Sequence, residues 1–270
     1  MNGAQLQDQV VLITGAAGAI GGAIAHGFAA EGARLVLMDI DGPRLERRAD
    51  ELKAAHGADR VADIVGDVRD PRQARRIVDR AVELFDRLDI LVNNAAVTRI
   101  RSVDEIGDED IDEIIDTNLK GYFYYAREFV RVAKQRKSRG VILIISSKNG
   151  LEGASEKSLY SATKGAEITM ARSLARELGA FGIRVNVICP DAVHKGSKLW
   201  ERGGHYSVAT AQRYGITEEQ IPEYYRRRCA LRVNMEPEDV AAAALFLCGA
   251  GSAKVTGAVL TVDGGVTYVR

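Results

Sequence analysis

The 270-residue sequence predicts a single doubly wound α/β domain with helices on both faces of a parallel sheet, and three observations predict it. Short runs rich in Val, Ile and Leu alternate with longer segments of helical period, the pattern of repeated strand–helix–strand units. A glycine-rich turn, Thr14-Gly15-Ala16-Ala17-Gly18-Ala19-Ile20-Gly21, stands between the first apolar run and the first helical segment. No repeat, low-complexity tract or linker divides the chain, and a 46% hydrophobic composition over this length is enough for one full core.

In chain order, the apolar run Val10 to Thr14 is the first strand and Ile20 to Glu31 the first helix. Arg34 to Met38 and Val61 to Val65 are strands separated by a helix over Pro43 to His56, whose proline suits a first turn. Pro71 to Phe85 repeats that opening and leads to the strand Ile90 to Val92. A long helix is expected over Asp108 to Arg136, then the strand Val141 to Ile145, the helix Leu159 to Leu178 and the strand Arg184 to Ile188. Pro237 to Cys248 and Val259 to Val262 close the series as helix and strand. Each strand is too continuously apolar for a sheet with a wet face. The alternation breaks from Asp191 to about Met235, punctuated by Gly203, Gly204, Gly215 and Pro222. A long excursion after a strand, at the sheet end where ligands sit, is expected to cover a substrate.

Lys plus Arg and Asp plus Glu both total 37, so no overall field draws the chain to nucleic acid or to an anionic membrane. Cys189, Cys229 and Cys248 are odd in number and far apart, which points to reduced, packed thiols in a cytoplasmic protein. The N-terminal stretch Met1 to Gln9 is polar, and no apolar run approaches the ~18 residues of a membrane span. His194 and His205 have no carboxylate or cysteine at ligand spacing, so no metal site is expected.

The glycine-rich turn follows a strand and opens a helix. Small residues there let backbone approach a pyrophosphate, and the helix N-terminus offers free N–H groups and the positive end of its dipole. Gly15, Gly18, Ala19, Ile20 and Gly21 are the candidate contacts. Asp39, at the end of the second strand, can accept hydrogen bonds from a ribose 2′-OH and would repel a 2′-phosphate, which favours NAD over NADP. Arg44 and Arg47 are the nearest cations that could oppose this. Asp67 with Val68, after the third strand, is a candidate for the adenine, with an ordinary turn or cap as the plainer reading of the aspartate.

Tyr160 and Lys164 stand four residues apart in a helical segment and share a face, and Ser147 lies thirteen residues before Tyr160, past the tip of the fifth strand. Moving hydride from an alcohol carbon to nicotinamide requires removal of the hydroxyl proton. A free phenol titrates near pH ~10, and a neighbouring ammonium brings it closer to working pH. The serine would hold the substrate oxygen.

These residues together resemble the short-chain dehydrogenase/reductase superfamily over nearly the whole chain. The Thr14 to Gly21 turn is similar to its cofactor loop, Asn93-Asn94-Ala95 to its N-N-A segment, and Ser147 with Tyr160-Ser161-Ala162-Thr163-Lys164 to its active site. The resemblance implies a Rossmann-type sheet of seven strands in the order 3-2-1-4-5-6-7 and a homotetramer. It also implies cofactor contacts from Asn94, Ala95, Tyr160, Lys164, Pro190 and Val193, and a fourth catalytic residue, Asn118, holding a water-linked relay to Lys164. The sequence departs from the pattern at Ala19, where a glycine is usual, and at Pro190-Asp191, where Pro-Gly and a following threonine are usual; Ser197 is a weaker substitute for that threonine.

The divergent stretch carries a narrower resemblance. Pro190-Asp191-Ala192-Val193, Gly196-Ser197, Trp200, Tyr214-Gly215-Ile216, Tyr224-Tyr225-Arg226 and Pro237-Glu238-Asp239-Val240 look like the dehydrogenase half of bifunctional rhamnulose-phosphate aldolase/lactaldehyde dehydrogenases, with weaker similarity to sorbitol-6-phosphate dehydrogenases. Lys148, Asn149, Asp191, His194, Lys195, Lys198, Trp200 and Arg202 cluster after the fifth and sixth strands, as donors for hydroxyls and cations for an acidic group. The expected small-molecule substrate is therefore a polyhydroxylated alcohol, hemiacetal or aldehyde of carbohydrate type, oxidised with NAD in carbohydrate catabolism. The alternatives are a ketone or 3-oxoacyl reductase using NADPH, and a nucleotide-sensing protein without turnover. Tyr122, Phe123, Tyr124 and Tyr125 read as helix packing or a subunit interface, and Arg226-Arg227-Arg228 as a solvated run or a salt-bridging one between subunits.

Overall fold

The computed structural model describes residues 5–267; residues 1–4 and 268–270, which the expected domain includes, lie outside the described residues. Seven parallel strands form one sheet in the order β3-β2-β1-β4-β5-β6-β7. They are β1 Val10–Thr14, β2 Arg34–Asp39, β3 Val61–Val65, β4 Ile90–Asn93, β5 Gly140–Ile145, β6 Ile183–Pro190 and β7 Val259–Val262. The larger helices between them are α1 Ala19–Ala30, α2 Gly42–His56, α3 Pro71–Phe85, α4 Asp108–Ile115, α5 Tyr122–Arg136, the short α6 Asn149–Glu152, α7 Ser158–Leu178, α8 His205–Tyr214, α9 Ile221–Arg228 and α10 Pro237–Cys248. Asp41 and Asp70 start α2 and α3 by accepting the Arg44 and Arg72 backbone N–H groups, satisfying donors that the first turn leaves free.

Strand side chains alternate between faces, so each central strand feeds two cores. From β1, Val11 and Ile13 pack with Ile24 and Phe28 of α1, Leu45 of α2 and Val240 of α10. Val10 and Leu12 point the other way, to Ile77 of α3, Phe129 of α5 and Ile168 of α7. Each fully buried residue of this size contributes about 1.5–3 kcal/mol. The chain leaves β1 toward β2 on one side and returns as β4 on the other. That reversal opens a crevice at the strand C-termini, where ligands bind in such sheets.

The structure departs from the expected elements in three places. The expected helix over Asp108–Arg136 is interrupted by a π-helical turn at Asp116–Gly121, which carries Asn118; an extra residue in the helical ladder often marks a functional position. β3 is not dry on both faces: Ala62, Asp63 and Ile64 are half-buried and Val65 is 55% exposed, because the strand is the sheet's edge. β7, the other edge, is half-buried throughout. The excursion from Asp191 to Met235 contains α8 and α9, which build a small core of their own from Ala211, Ile221 and Tyr225, with Trp200, Tyr214 and Tyr224 packed on it.

Candidate active site

The crevice between β1 and β4 is stitched by Thr14 and Asn94. Thr14 Oγ1 donates to Val92 O and accepts from the backbone N–H groups of Asn94 (3.0 Å) and Ala95 (3.2 Å), and Asn94 Nδ2 donates to Thr14 O and Gly15 O, both at 3.0 Å. Gly15 has a φ of +68°, a conformation that favours glycine. A Cβ on Gly21 would lie 2.3 Å from Gly15 O, so the first turn of α1 is in direct contact with the loop backbone. Gly18 is exposed at the N-cap of α1 and has no side chain to cap it. Half-exposed Ala19 and Ile20 follow as the first helical residues. Where the superfamily pattern has glycine, the half-buried methyl of Ala19 faces Gly196. This cradle of small residues, with the free N–H groups of a helix start, fits a pyrophosphate.

Asp39 stands at the lip of the cradle. Its carboxylate accepts from the N–H groups of Ala17 and Asp41, each at 3.0 Å, so it is fixed against the glycine loop. Asp67 accepts from the Arg69 backbone and guanidinium, which hold its carboxyl below the usual range. That is the plainer turn role, although Asp67 still lines the same end of the sheet. Val68 is buried over Gly121 of the π-turn. At the far side Pro190 pairs with Val262, and Val193 forms a bridge to Met235 that keeps its backbone near the α1 core.

Ser147 lies two residues beyond β5, and Tyr160 and Lys164 lie on the first turns of α7. Ser146 Oγ donates to Lys164 O at 2.8 Å and pins that helix to the strand tip. Burial pushes the Tyr160 phenol up, while the Lys164 ammonium and a hydrogen bond with Ser147 pull it down. Lys164 is buried, and Nζ donates to Ile145 O (3.0 Å) and to Glu167 Oε1 (2.9 Å) and Oε2 (3.2 Å). Asn118 is fully buried: its amide exchanges hydrogen bonds with the Val97 backbone at 2.9 Å each way and donates to Thr163 Oγ1 at 3.2 Å. Its side chain thus ties the β4 loop to α7 one residue before Lys164, with one Oδ1 lone pair still free to accept.

The expected substrate residues divide. Lys148 is buried directly after Ser147, with Nζ 3.4 Å from Glu152, and Asn149 donates its N–H to Ser147 Oγ. Burial raises the Asp191 carboxyl, opposed by Lys148 and Arg228. His194 and Trp200 form an aromatic wall with Tyr225 and Tyr206: ring centroids lie 4.4 Å apart for His194–Trp200 and 4.9 Å for Trp200–Tyr206. Both His194 ring nitrogens are buried without hydrogen-bond partners among the described residues, and burial lowers its pKa to about 4, so it is neutral near pH 7. Lys195 and Lys198 do not join this group. They are 62% and 69% exposed and pair with Glu236 and Glu238, and with Asp41, on the rim by α10 and α2, because the loop turns outward after His194. Arg202 is likewise exposed, paired with Glu219. Arg228 is not simply solvated, since its guanidinium stands 5.1 Å from the Tyr225 ring centroid.

Two residues were not anticipated. Lys157, three before Tyr160, is buried with its ammonium on the Tyr206 hydroxyl and no carboxylate partner among the described residues, and burial lowers its pKa to about 8. Its proximity to Tyr160 along the helix was the available signal. Glu167, three after Lys164, lies on the buried face of α7 with Thr163, Lys164 and Ile168, with no signal beyond that spacing.

A family model described as enoyl-(acyl carrier protein) reductase matches residues 15–267. Uncharacterized oxidoreductase YuxG of Bacillus subtilis is 37% identical over 263 residues, 97% of this chain; this chain spans 38% of that protein's length. Among solved structures, sorbitol-6-phosphate 2-dehydrogenase SrlD from Erwinia amylovora superposes with a TM-score of 0.88 at 27% identity, covering 96% of this chain and 100% of that one. A 3-ketoacyl-(acyl-carrier-protein) reductase from Brucella melitensis complexed with NADH gives 0.85 at 28% identity, covering 97% and 100%. No helix among the described residues is long and apolar enough to cross a membrane.

Proposed function

The chain belongs to the short-chain dehydrogenase/reductase superfamily, and from that premise we propose that it is an NAD-dependent dehydrogenase of polyhydroxylated, anionic carbohydrate-type alcohols, hemiacetals or aldehydes. The observation that carries the substrate class is the pair of buried lysines, Lys148 and Lys157, on the elements that present Ser147 and Tyr160. Lys157 has no carboxylate within ion-pair distance among the described residues, and Lys148 has Glu152 at 3.4 Å, while the half-buried Asp191 acts on both from farther off. A buried ammonium so placed is costly unless a ligand supplies the counter-charge, and a carboxylate or phosphate on the substrate does so. A fatty-acyl or other ketone substrate using NADPH, the second reading, is favoured by the description of the matched family model and by the likeness to the Brucella reductase. It would supply no anion for Lys157. The narrower kinship to the dehydrogenase half of bifunctional aldolase/dehydrogenases rests on the residues after Pro190 and belongs to the same proposal. So do a homotetrameric assembly and a cytoplasmic location, the latter supported by three unpaired, buried cysteines.

Gly15, Gly18, Ala19, Ile20 and Gly21 would hold the pyrophosphate, Asp39 the adenosine ribose, Asp67 and Val68 the adenine, Asn94 and Ala95 the nicotinamide half from the β4 side, and Pro190 and Val193 its carboxamide. When bound, a nicotinamide nucleotide supplies the hydride acceptor. Ser147 orients the substrate oxygen, Tyr160 as phenolate takes its proton, and Lys164 stabilises that phenolate and reaches the ribose. Asn118 fixes α7 against the β4 loop so that these groups converge. The segment from Asp191 to Met235 covers the substrate and excludes water from it.

Two measurements test the reading. Lys157→Met is expected to raise KM for a sugar acid or sugar phosphate by tenfold or more, the loss of about one charge-assisted hydrogen bond, and to leave KM for the matching neutral polyol within twofold. Equal effects on both would remove the anion from the substrate class. Asp39→Ala is expected to shift the ratio of kcat/KM values from NAD toward NADP by about tenfold or more, since the carboxylate both holds a ribose 2′-OH and repels a 2′-phosphate. An unchanged ratio in initial-rate assays would assign discrimination to other residues.

A further inference from the structure

We propose that Glu167 is a positioning residue that governs how much of the Lys164 charge reaches Tyr160. The two side chains are one helical turn apart on α7, and both carboxylate oxygens lie within 3.2 Å of Nζ. Neither residue is more than 1% exposed. An ammonium has three N–H groups, and the remaining contacts of Nζ are Ile145 O at 3.0 Å and the Tyr122 hydroxyl at 3.4 Å. These contacts are to groups other than the reacting phenol, whose ring centroid is 5.8 Å from Nζ. Tyr122 is itself held in place by donating to Ile145 O at 3.0 Å.

The buried Glu167 carboxylate ion-pairs with Lys164, with Ser146 also acting on it. At Tyr160 the field is consequently that of an ion pair rather than of a bare cation. Lys164 lowers the proton affinity of the phenol and Glu167 raises it. The signs are consistent across pH: burial raises the Glu167 carboxyl to about 8, and the buried phenol titrates above its ordinary value, so the carboxylate is charged wherever Tyr160 loses its proton in the free protein. The same pairing holds Lys164 protonated, with its pKa raised. The inference rests on Tyr160 as the proton-exchanging group, but its test does not require turnover.

The experiment is a titration of phenolate absorbance in the full chain, with the Tyr160 signal taken as the difference between each protein and its Tyr160→Phe counterpart. In Glu167→Gln, which keeps the shape and loses the charge, the midpoint is expected to fall by about one unit. In Glu167→Asp, which keeps the charge, it is expected to stay near the parent value. A Glu167→Gln midpoint equal to the parent's overturns the proposal, as does an Asp variant that shifts as far as the Gln one, which would assign the effect to packing. Glu167→Met, which leaves no polar group to satisfy at that position, serves if the Gln variant does not fold, and is expected to shift the midpoint in the same direction. If Tyr160→Phe kept full turnover, the reading of Tyr160 would fail; if only the midpoints coincided, this inference alone would.

Discussion

Tyr160→Phe is expected to lower kcat by roughly 10²–10⁴-fold, the contribution of a positioned proton-transfer group, with nucleotide affinity changed by less than threefold. The phenol is the titratable group that Ser147 and Lys164 both act on. Removing one oxygen leaves the ring and its packing in place and takes away the only atom that can exchange a proton there. Because Lys164 is held by Glu167 and Ile145 O independently of the phenol, the cation stays put in the variant. Nucleotide binding followed by quenching of Trp200, the single tryptophan, separates loss of chemistry from loss of cofactor. Retained turnover with nucleotide bound would show that another group moves the proton.

Gly21→Ala is expected to weaken nucleotide binding by about 100-fold or more and to destabilise the fold by about 1–3 kcal/mol, as overpacking does. The added methyl would sit 2.3 Å from Gly15 O and 2.8 Å from Asn94 Nδ2. Neither neighbour can retreat cheaply, because Gly15 O is hydrogen-bonded to that same amide and Asn94 is anchored to Thr14. Relief requires α1 to move off the strand tip, which carries its free N–H groups away from the pyrophosphate. Ala19→Gly is the contrasting control, expected to change affinity by less than threefold. Isothermal calorimetry with NAD and a urea melt read the two effects, and a Gly21→Ala protein that binds normally would show that the loop is softer than its hydrogen bonds imply.

The chain's strands were legible almost to the residue because a buried parallel strand must be continuously apolar, and a run as short and as apolar as Val10 to Thr14, bounded by a glycine turn, suits little else. The edge strands were less so. Val61 to Val65 reads like an interior strand, yet it is the edge of the sheet and only Val61 is buried. The π-turn at Asn118 has no composition of its own, since the local sequence is that of an ordinary helix and the insertion is set by what α4 and α5 pack against. Glycine spacing and the Ser147, Tyr160 and Lys164 order located the crevice. Counting cations after the strands picked out Lys148, which is buried beside Ser147, placed Lys195 and Lys198 in a group they do not join, and passed over Lys157.

What the sequence determined by itself is the fold, the glycine-rich crevice and the grouping of Ser147, Tyr160 and Lys164 beside it, because apolar periodicity and short-range spacing act within one strand or one helical turn. Only the tertiary structure decided which charges face the chemistry. Lys195 turns to Glu236 and Glu238 while Lys157 turns inward to Tyr206, and Lys164 closes on Glu167, because burial and ion pairing depend on elements far apart in the chain and are invisible in local pattern.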